Sequence, residues 1–318
     1  MISLFDVSGG HRGFSRVIWT VKKIVRGEFP SITLYYRNDD DNGNGNEFEV
    51  AGFPRDLDVY VTYNISDDYQ LSVSMRGKSL TEATPVNLAQ HTYWNLRGHD
   101  GGSILSHRVR IFASRITPVD ADLIPTGELA LVQGTPFDFL RLETVGSRID
   151  RIPGGYDINY VVDSWEGKMW LSRVATVTAE ETGRRMELWA DQPGVQFYTG
   201  NFLRGVKGKG GAVYEQHAGL CLETQGFPDA VNHPKFPSQI VAAGDTREGG
   251  RRSASGEKSA RSSSVKKGGV VGGQFWKKKI DNPGIVKNLS FPRFSDSELY
   301  SLIADVAVML YYRESLIT

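Results

Sequence analysis

Over the first 245 residues the chain returns again and again to runs in which apolar side chains fall at every second position, and no stretch carries a convincing three-to-four-residue spacing of an amphipathic helix. Residues 57–63 (LDVYVTY) alternate faces in this way, and further on Leu71, Val73 and Met75 interleave with Ser72, Ser74 and Arg76. A period of two belongs to an extended strand, whose successive side chains point to opposite sides. More runs of β-branched and aromatic residues follow: VIWTVKKIV from Val17, SITLYY from Ser31, RVRIFA from Arg108, NYVVD from Asn159 and MWLSRVATV from Met169. RMELWA from Arg185, VQFYT from Val195 and GLCLET from Gly219 complete the series, with turn residues between them. This pattern predicts an all-β domain over residues 1–245, built as a large antiparallel sandwich. The polar stretch 39–47 (DDDNGNGNE) reads as a loop between two strands and lacks the ligand spacing of an EF-hand.

Across 318 residues, 37 Lys and Arg balance 37 Asp and Glu, which excludes a generally basic nucleic-acid binder. The balance conceals an asymmetry. Residues 247–279 hold ten basic residues and two acidic ones, an excess of eight that the rest of the chain cancels. The same window is rich in Gly and Ser and poor in large apolar residues. It cannot bury enough surface to offset its ordering entropy, so residues 246–294 are expected to form a disordered linker. Beyond it, Ser295 and Glu298 stand at capping-box spacing before LYSLIADVAVMLYY, which predicts a helix over 295–318. Asp305 interrupts that run, and no run in the chain reaches the roughly 20 apolar residues of a membrane span. No basic-then-apolar leader opens the sequence, so the expected compartment is the cytoplasm. Cys221, the single cysteine, leaves no disulfide framework and no cysteine-based zinc centre.

Three polar clusters fall where strands end. The first, residues 85–98 (PVNLAQHTYWNLRG), sets His91 among aromatics and amides. An imidazole donates a proton near neutral pH without a shifted pKa, although a structural histidine bonded to backbone is the plainer reading. The second, 154–160 (GGYDINY), carries Asp157 where a turn feeds a strand; it suits either sugar hydroxyls or simple turn chemistry. In the third, 222–234 (LETQGFPDAVNHP), Glu223 closes an apolar strand. A carboxylate there is partly desolvated, which favours general-base behaviour, and structural glutamates occupy such places too. Together, one imidazole, two carboxylates and several aromatics on a β-scaffold suit carbohydrate chemistry, in which rings stack on sugar C–H groups and polar side chains bind hydroxyls.

The phrases PVNLAQHTYWNLRGH, GGYDINYVVD, QPGVQFYTGNFL and LETQGFPDAVNHPKFP, in this order, resemble the aldose 1-epimerases, or galactose mutarotases, of the plant type. LIPTGE from Leu123 and VQGTPFDF from Val132 add to the likeness, which runs from about Gly9 to about Gly244. The resemblance implies a galactose mutarotase-like β-supersandwich, no cofactor and no metal. It also implies a small sugar (galactose or glucose) as partner, with α and β anomers interconverted by acid–base ring opening. By it, His91 is similar to the general acid and Glu223 to the general base. Asp157 resembles the motif residue that holds sugar hydroxyls, and Gln196 a further substrate-binding residue. Trp94, Phe197 and Tyr198 are candidates for the pocket wall, with core packing the alternative for each.

Three features depart from the family pattern. Several N-terminal strands, and an Asn-Arg pair of the sugar site on them, have no counterpart, so a truncated N-terminus is expected. Ser8 stands where the family carries a second active-site histidine. The likeness ends near Asp245, before an expected closing strand. These departures motivate a catalytically impaired sugar-binding relative as an alternative. A hexose-6-phosphate 1-epimerase, using arginines such as Arg97 and Arg204, is another. A glycosidase with Asp157 and Glu223 as paired carboxylates is a third.

Overall fold

The computed structural model describes residues 14, 17–38, 57–66, 70–165, 171–244, 246–248, 273–276 and 310–311. The chain opens with a meander of four strands, β1 (Thr20–Val25), β2 (Ser31–Asn38), β3 (Leu57–Ser66) and β4 (Gln70–Ser79). Two short strands follow, β5 (Thr84–Pro85) and β6 (Ala89–Gln90), then β7 (Arg108–Ile111), β8 (Arg115–Ile116), β9 (Ala130–Leu131) and β10 (Glu143–Thr144). Next along the chain come β11 (Asp157–Val161), β12 (Ser172–Ala179), β13 (Arg184–Ala190) and β14 (Gly194–Tyr198). After a small hairpin, β15 (Val206–Lys207) and β16 (Val213–Tyr214), come β17 (Cys221–Gln225), β18 (Ile240–Val241), β19 (Thr246–Glu248), β20 (Gly273–Trp276) and β21 (Leu310–Tyr311).

These strands pair into three principal sheets. One has the order β1-β2-β3-β4-β19, with β20 also on β4; the second is β10-β7-β12-β13; the third is β17-β14-β11-β8-β9. Every pairing in them is antiparallel. Helix among the described residues is limited to short 3-10 turns such as Val145–Ser147 and Ile149–Arg151. None of the described helices is long and apolar enough to cross a membrane.

The alternation in sequence becomes burial. Along β3, Val59, Val61 and Tyr63 are buried while Tyr60 and Thr62 are half-exposed. The inward faces of all three sheets meet in one apolar cluster. It joins Val59, Val61, Val73 and Met75 to Val109, Ile111, Val177 and Leu188, and to Ile158, Tyr160, Val195, Phe197 and Leu222. Burying such faces is what holds the layers together, at about 25 cal/mol per Å² of apolar surface. The strands predicted from sequence are present, with ends displaced by a few residues: the run read from Met169 begins at Ser172, and that read from Asn159 at Asp157.

The segment after residue 245 needs correcting where it is described. Thr246–Glu248 and Gly273–Trp276, expected within a disordered linker, are strands laid end to end along one edge of β4. Leu310–Tyr311, expected in a helix, instead pair with Ala89–Gln90 of β6. The physical reason is the same in each case. An open strand edge offers a row of unpaired N–H and C=O groups that captures extended backbone almost regardless of its side chains. The remainder of the expected linker and helix, the polar loop at 39–47, and Ser8 lie outside the described residues.

Leu188, on β13, is fully buried in the shared core. Leu188→Ala is expected to destabilise the fold by about 2–5 kcal/mol, from lost apolar transfer plus the cavity left behind. Urea unfolding checks this, with the midpoint lowered and the slope unchanged.

Candidate active site

Antiparallel register turns three strands of the third sheet into a grid. Asp157 of β11 lies opposite Tyr198 of β14, which lies opposite Cys221 of β17. The next row is Asn159, Gln196 and Glu223, and the third is Val161, Gly194 and Gln225. Residues two apart share a face, so these nine side-chain positions lie on one side. The opposite side presents Ile158, Tyr160, Val195, Phe197 and Leu222 to the core. The sheet is thus apolar on its core face and mostly polar on the other.

Local sequence explains how the grid is entered. Gly155, at the turn before β11, has φ +85°, a conformation that strains any residue with a Cβ. A Cβ there would also press on the Asn201 side chain, which donates to the Tyr156 carbonyl at 2.9 Å. Gly194 is required for a different reason: a Cβ would collide with the Asn159 side chain of the neighbouring row.

The polar face is buried and internally bonded. Asn159, Gln196, Glu223 and Gln225 are each at most 5% exposed. Gln196 donates through Nε2 to Asp157 Oδ1 at 2.5 Å. Gln225 Nε2 reaches Asn159 Oδ1 and Gln196 Oε1, both at 3.4 Å, and Asn159 Nδ2 donates to Thr117 Oγ1 at 3.3 Å. Such a network keeps each amide at a set orientation, because a buried polar group without a partner costs about 1–3 kcal/mol.

His91 is placed over this floor by the segment 87–94, which includes β6. The segment is tied to β17 at both ends. At one end Asn87 Oδ1 accepts from the Gly226 amide at 2.8 Å while its Nδ2 donates to the Gly226 carbonyl at 3.3 Å. At the other, the Trp94 amide donates to the Leu220 carbonyl at 2.7 Å, and the Leu220 amide returns a bond to Trp94 at 3.0 Å. Glu223 sits between those anchor points, so imidazole and carboxylate are brought together: His91 Nε2 lies 3.5 Å from Glu223 Oε1, both side chains 6% exposed. His107 secures the following turn, its Nε2 accepting from the Leu96 amide at 3.0 Å. Burial lowers the His107 pKa to about 4, so it stays a neutral acceptor.

Tyr93 and Tyr198 flank the His91 ring at centroid distances of 4.9 and 5.8 Å. Tyr198 accepts a hydrogen bond from the Phe202 amide at 3.0 Å. Burial, and then the neighbouring Asp157, Cys221 and Glu223, push its hydroxyl up to about 12. Cys221 contacts the other imidazole nitrogen, Sγ to Nδ1 at 3.3 Å. Burial holds its thiol well above the ordinary range. Both groups are therefore protonated near neutral pH.

Among the residues read from sequence, the structure joins His91 to Glu223 and Asp157 to Gln196, and sets Tyr198 beside the imidazole. Phe197 turns to the core, and Trp94 packs against that core from a partly buried position. Asp157 and Glu223 are on strands separated by the whole of β14, and Gln196 occupies Asp157. Arg97 is engaged by Glu181 at 2.8 Å. Asn159, Gln225, Tyr93 and Cys221 were not singled out from sequence. Counting in twos from Asp157 and Glu223 finds Asn159, Gln225 and Cys221, whereas Tyr93 carries no such signal.

The donor atoms of His91, Cys221 and Glu223 lie within 4.8 Å of one another, the metal-competent cluster found among the described residues. Sulfur and carboxylate face different nitrogens of the imidazole. That arrangement suits a hydrogen-bonded chain better than a shared ion, because a metal bound by all three must draw on a single ring nitrogen.

The aldose 1-epimerase family model matches residues 7–250, and the chain belongs to that family. Human galactose mutarotase is 43% identical over 243 residues, covering 76% of this chain and 66% of that protein. Escherichia coli (strain K12) aldose 1-epimerase is 31% identical over 238 residues, covering 73% and 64%. The chain therefore spans somewhat less than two thirds of the length of these curated relatives. A crystal structure of an aldose epimerase homologue from C. elegans superposes with a TM-score of 0.63 at 26% identity, over 75% of this chain and 68% of that one. The family match runs to residue 250 and so takes in β19, past the Gly244 at which the likeness read from sequence ends.

Asp191, just before β14, was also missed. It is buried, and desolvation raises its pKa to about 6 despite a bond from Gln192 Nε2 at 3.0 Å. A carboxyl whose folded pKa exceeds its unfolded value binds extra protons in the folded state. Its stabilising contribution is full below about pH 4 and is lost as pH rises through about 6. Relative to Asp191→Asn, the wild-type chain is expected to lose about 2 kcal/mol of stability between pH 4 and pH 7, measured by denaturant unfolding at each pH.

Proposed function

We propose that this chain interconverts the α and β anomers of free hexoses, galactose and glucose, by acid–base ring opening and closure. The observation that carries the reading is the buried His91–Glu223 pair, 3.5 Å apart, above a polar floor. Anomerisation needs one proton removed from the anomeric hydroxyl and one supplied to the ring oxygen. Both oxygens are bonded to the same carbon, so base and acid must be neighbours. Glu223 takes the hydroxyl proton as the bond from C1 to the ring oxygen breaks, and His91 Nε2–H protonates that oxygen. The open-chain aldehyde rotates about C1–C2. Closure then runs the two transfers in reverse on the other carbonyl face.

The surrounding groups suit a polyol. Asp157 and Gln196, already bonded to one another, offer acceptor and donor to adjacent sugar hydroxyls, and the rings of Tyr93 and Tyr198 supply apolar faces for C–H groups. Trp94 serves from behind, packed between this segment and the core. The names of the matched relatives, galactose mutarotase and aldose 1-epimerase, support this sugar class. The engagement of Arg97 by Glu181 favours an unphosphorylated hexose over a hexose 6-phosphate.

Polarimetry of freshly dissolved α-galactose and α-glucose tests the proposal. The purified chain is expected to accelerate the approach to anomeric equilibrium, and Glu223→Gln and His91→Asn to slow it by about 10²–10⁴-fold while sugar still binds. Folded wild-type protein that leaves the spontaneous rate unchanged overturns the catalytic reading. Binding without turnover would then identify a sugar-binding relative.

A further inference from the structure

We propose that the outer face of the β10-β7-β12-β13 sheet carries a second ligand site, which takes a small organic anion by its carboxylate or phosphate head through Arg110, Arg173 and Trp189. None of these residues belongs to the floor around Glu223, so the inference stands apart from the sugar chemistry.

Strand alternation puts the side chains on one face. On β7, Val109 and Ile111 are buried in the core, which sends Arg110 to the opposite side. Leu188 does the same for Trp189 on β13. Arg173 of β12 stands abreast of Trp189, beside the register break between Arg173 and Ala175. Phe112 carries the chain on from β7, its amide donating to the Val174 carbonyl at 2.8 Å. Around these residues lies a cleft of about 520 Å³, to which Phe112 and Leu140 add apolar wall. That volume falls within the roughly 300–1,000 Å³ of small-molecule sites.

The charges in the cleft call for an anion. The Arg110 guanidinium lies 4.4 Å from the centre of the Phe112 ring, and that of Arg173 lies 4.6 Å from the same centre. Two cations thus converge on one ring. Among the described residues, no carboxylate lies within ion-pair distance of Arg110. Arg173 has Glu187 at 3.5 Å, a carboxylate that Arg185 holds more closely at 2.5 Å. The carboxylate that lines the cleft, Asp163, already accepts from the Ser114 amide at 2.9 Å and hydroxyl at 2.6 Å. Trp189 Nε1 is buried with no acceptor among the described residues, and a buried donor left unmade is costly. An oxyanion answers all of these groups. Guanidinium forks match carboxylate and phosphate oxygens, and an indole N–H donates to a further oxygen. The apolar wall then faces the body that carries the anion.

Isothermal titration calorimetry of the full-length chain at about 0.15 M ionic strength tests this, with phenyl phosphate, benzoate and the uncharged benzyl alcohol as probes. At least one of the two anions is expected to bind saturably with a Kd below about 1 mM, and the alcohol at least about 10-fold more weakly. The tighter anion tells whether the head that fits is phosphate or carboxylate. Arg110→Gln and Arg173→Gln are each expected to weaken binding about 10-fold. Trp189→Phe, which keeps an aromatic ring without the N–H, is expected to weaken it about 3-fold. Arg110 is exposed, so its replacement leaves the core untouched. Glu223→Gln is expected to leave the affinity unchanged, which separates this site from the floor. The inference is overturned if neither anion saturates by about 10 mM, or if the alcohol binds equally well. It is also overturned if both arginine variants bind like the wild type, or if Glu223→Gln abolishes binding. Absence of sugar turnover would defeat the proposed function alone, since calorimetry reads this site directly.

Discussion

The antiparallel register of β11, β14 and β17 is the constraint on which the rest of the molecule depends. Register decides which residues of neighbouring strands stand abreast, and a slip of one residue would exchange the two faces of a strand. Here it aligns Asn159, Gln196 and Glu223 in a single row and sends Ile158, Phe197 and Leu222 to the core. The apolar face makes the register costly to change. Slipping β14 by one position would bury Gln196 in the core and lift Phe197 onto the polar floor. Core packing and the geometry of the site are thus enforced by the same backbone hydrogen bonds.

A floor of buried amides and carboxylates is expensive unless its members satisfy one another. Gln196, Gln225, Asn159 and Thr117 form a chain of side-chain hydrogen bonds across three strands, and Asp157 closes it at one end. Networks of this sort hold their donors and acceptors in fixed directions before a ligand arrives. A polyhydroxylated ligand then meets groups that need little reorganisation. The His91 segment is held by the same logic, with Asn87 and Trp94 fastening it to the two ends of β17. The separation of imidazole and carboxylate is consequently a property of backbone attachment and not of two free side chains.

Much of the architecture was legible in the sequence. Alternation in residues 57–63 and 71–76 marks β3 and β4, and the family phrases surround His91, Asp157, Gln196 and Glu223. What escaped has identifiable causes. Gly273–Trp276 and Leu310–Tyr311 lie in segments whose composition argues for a linker and a helix, yet both are extended on strand edges. Edge capture is a tertiary event that local propensity does not encode. Tyr93 and Trp94 are adjacent aromatics in one phrase. Trp94 was preferred for the pocket wall, but the Tyr93 ring is the one that meets the His91 ring at 4.9 Å.

Residue identity, periodicity and order along the chain were sufficient to determine an all-β sandwich and to name an imidazole and a carboxylate as partners in carbohydrate chemistry. The likeness to the aldose 1-epimerases, and not periodicity, is what set Asp157 and Gln196 beside them as expected sugar-binding residues. Only the tertiary structure decided that Asp157 and Glu223 are held apart by β14, that Cys221 meets the far nitrogen of His91, and that Asn159 and Gln225 complete the floor. The reason is physical. Periodicity is a property of one strand and tells which face a side chain takes, whereas adjacency across strands is set by register, turn geometry and the packing of sheet on sheet. Those are properties of the whole chain closing on its core.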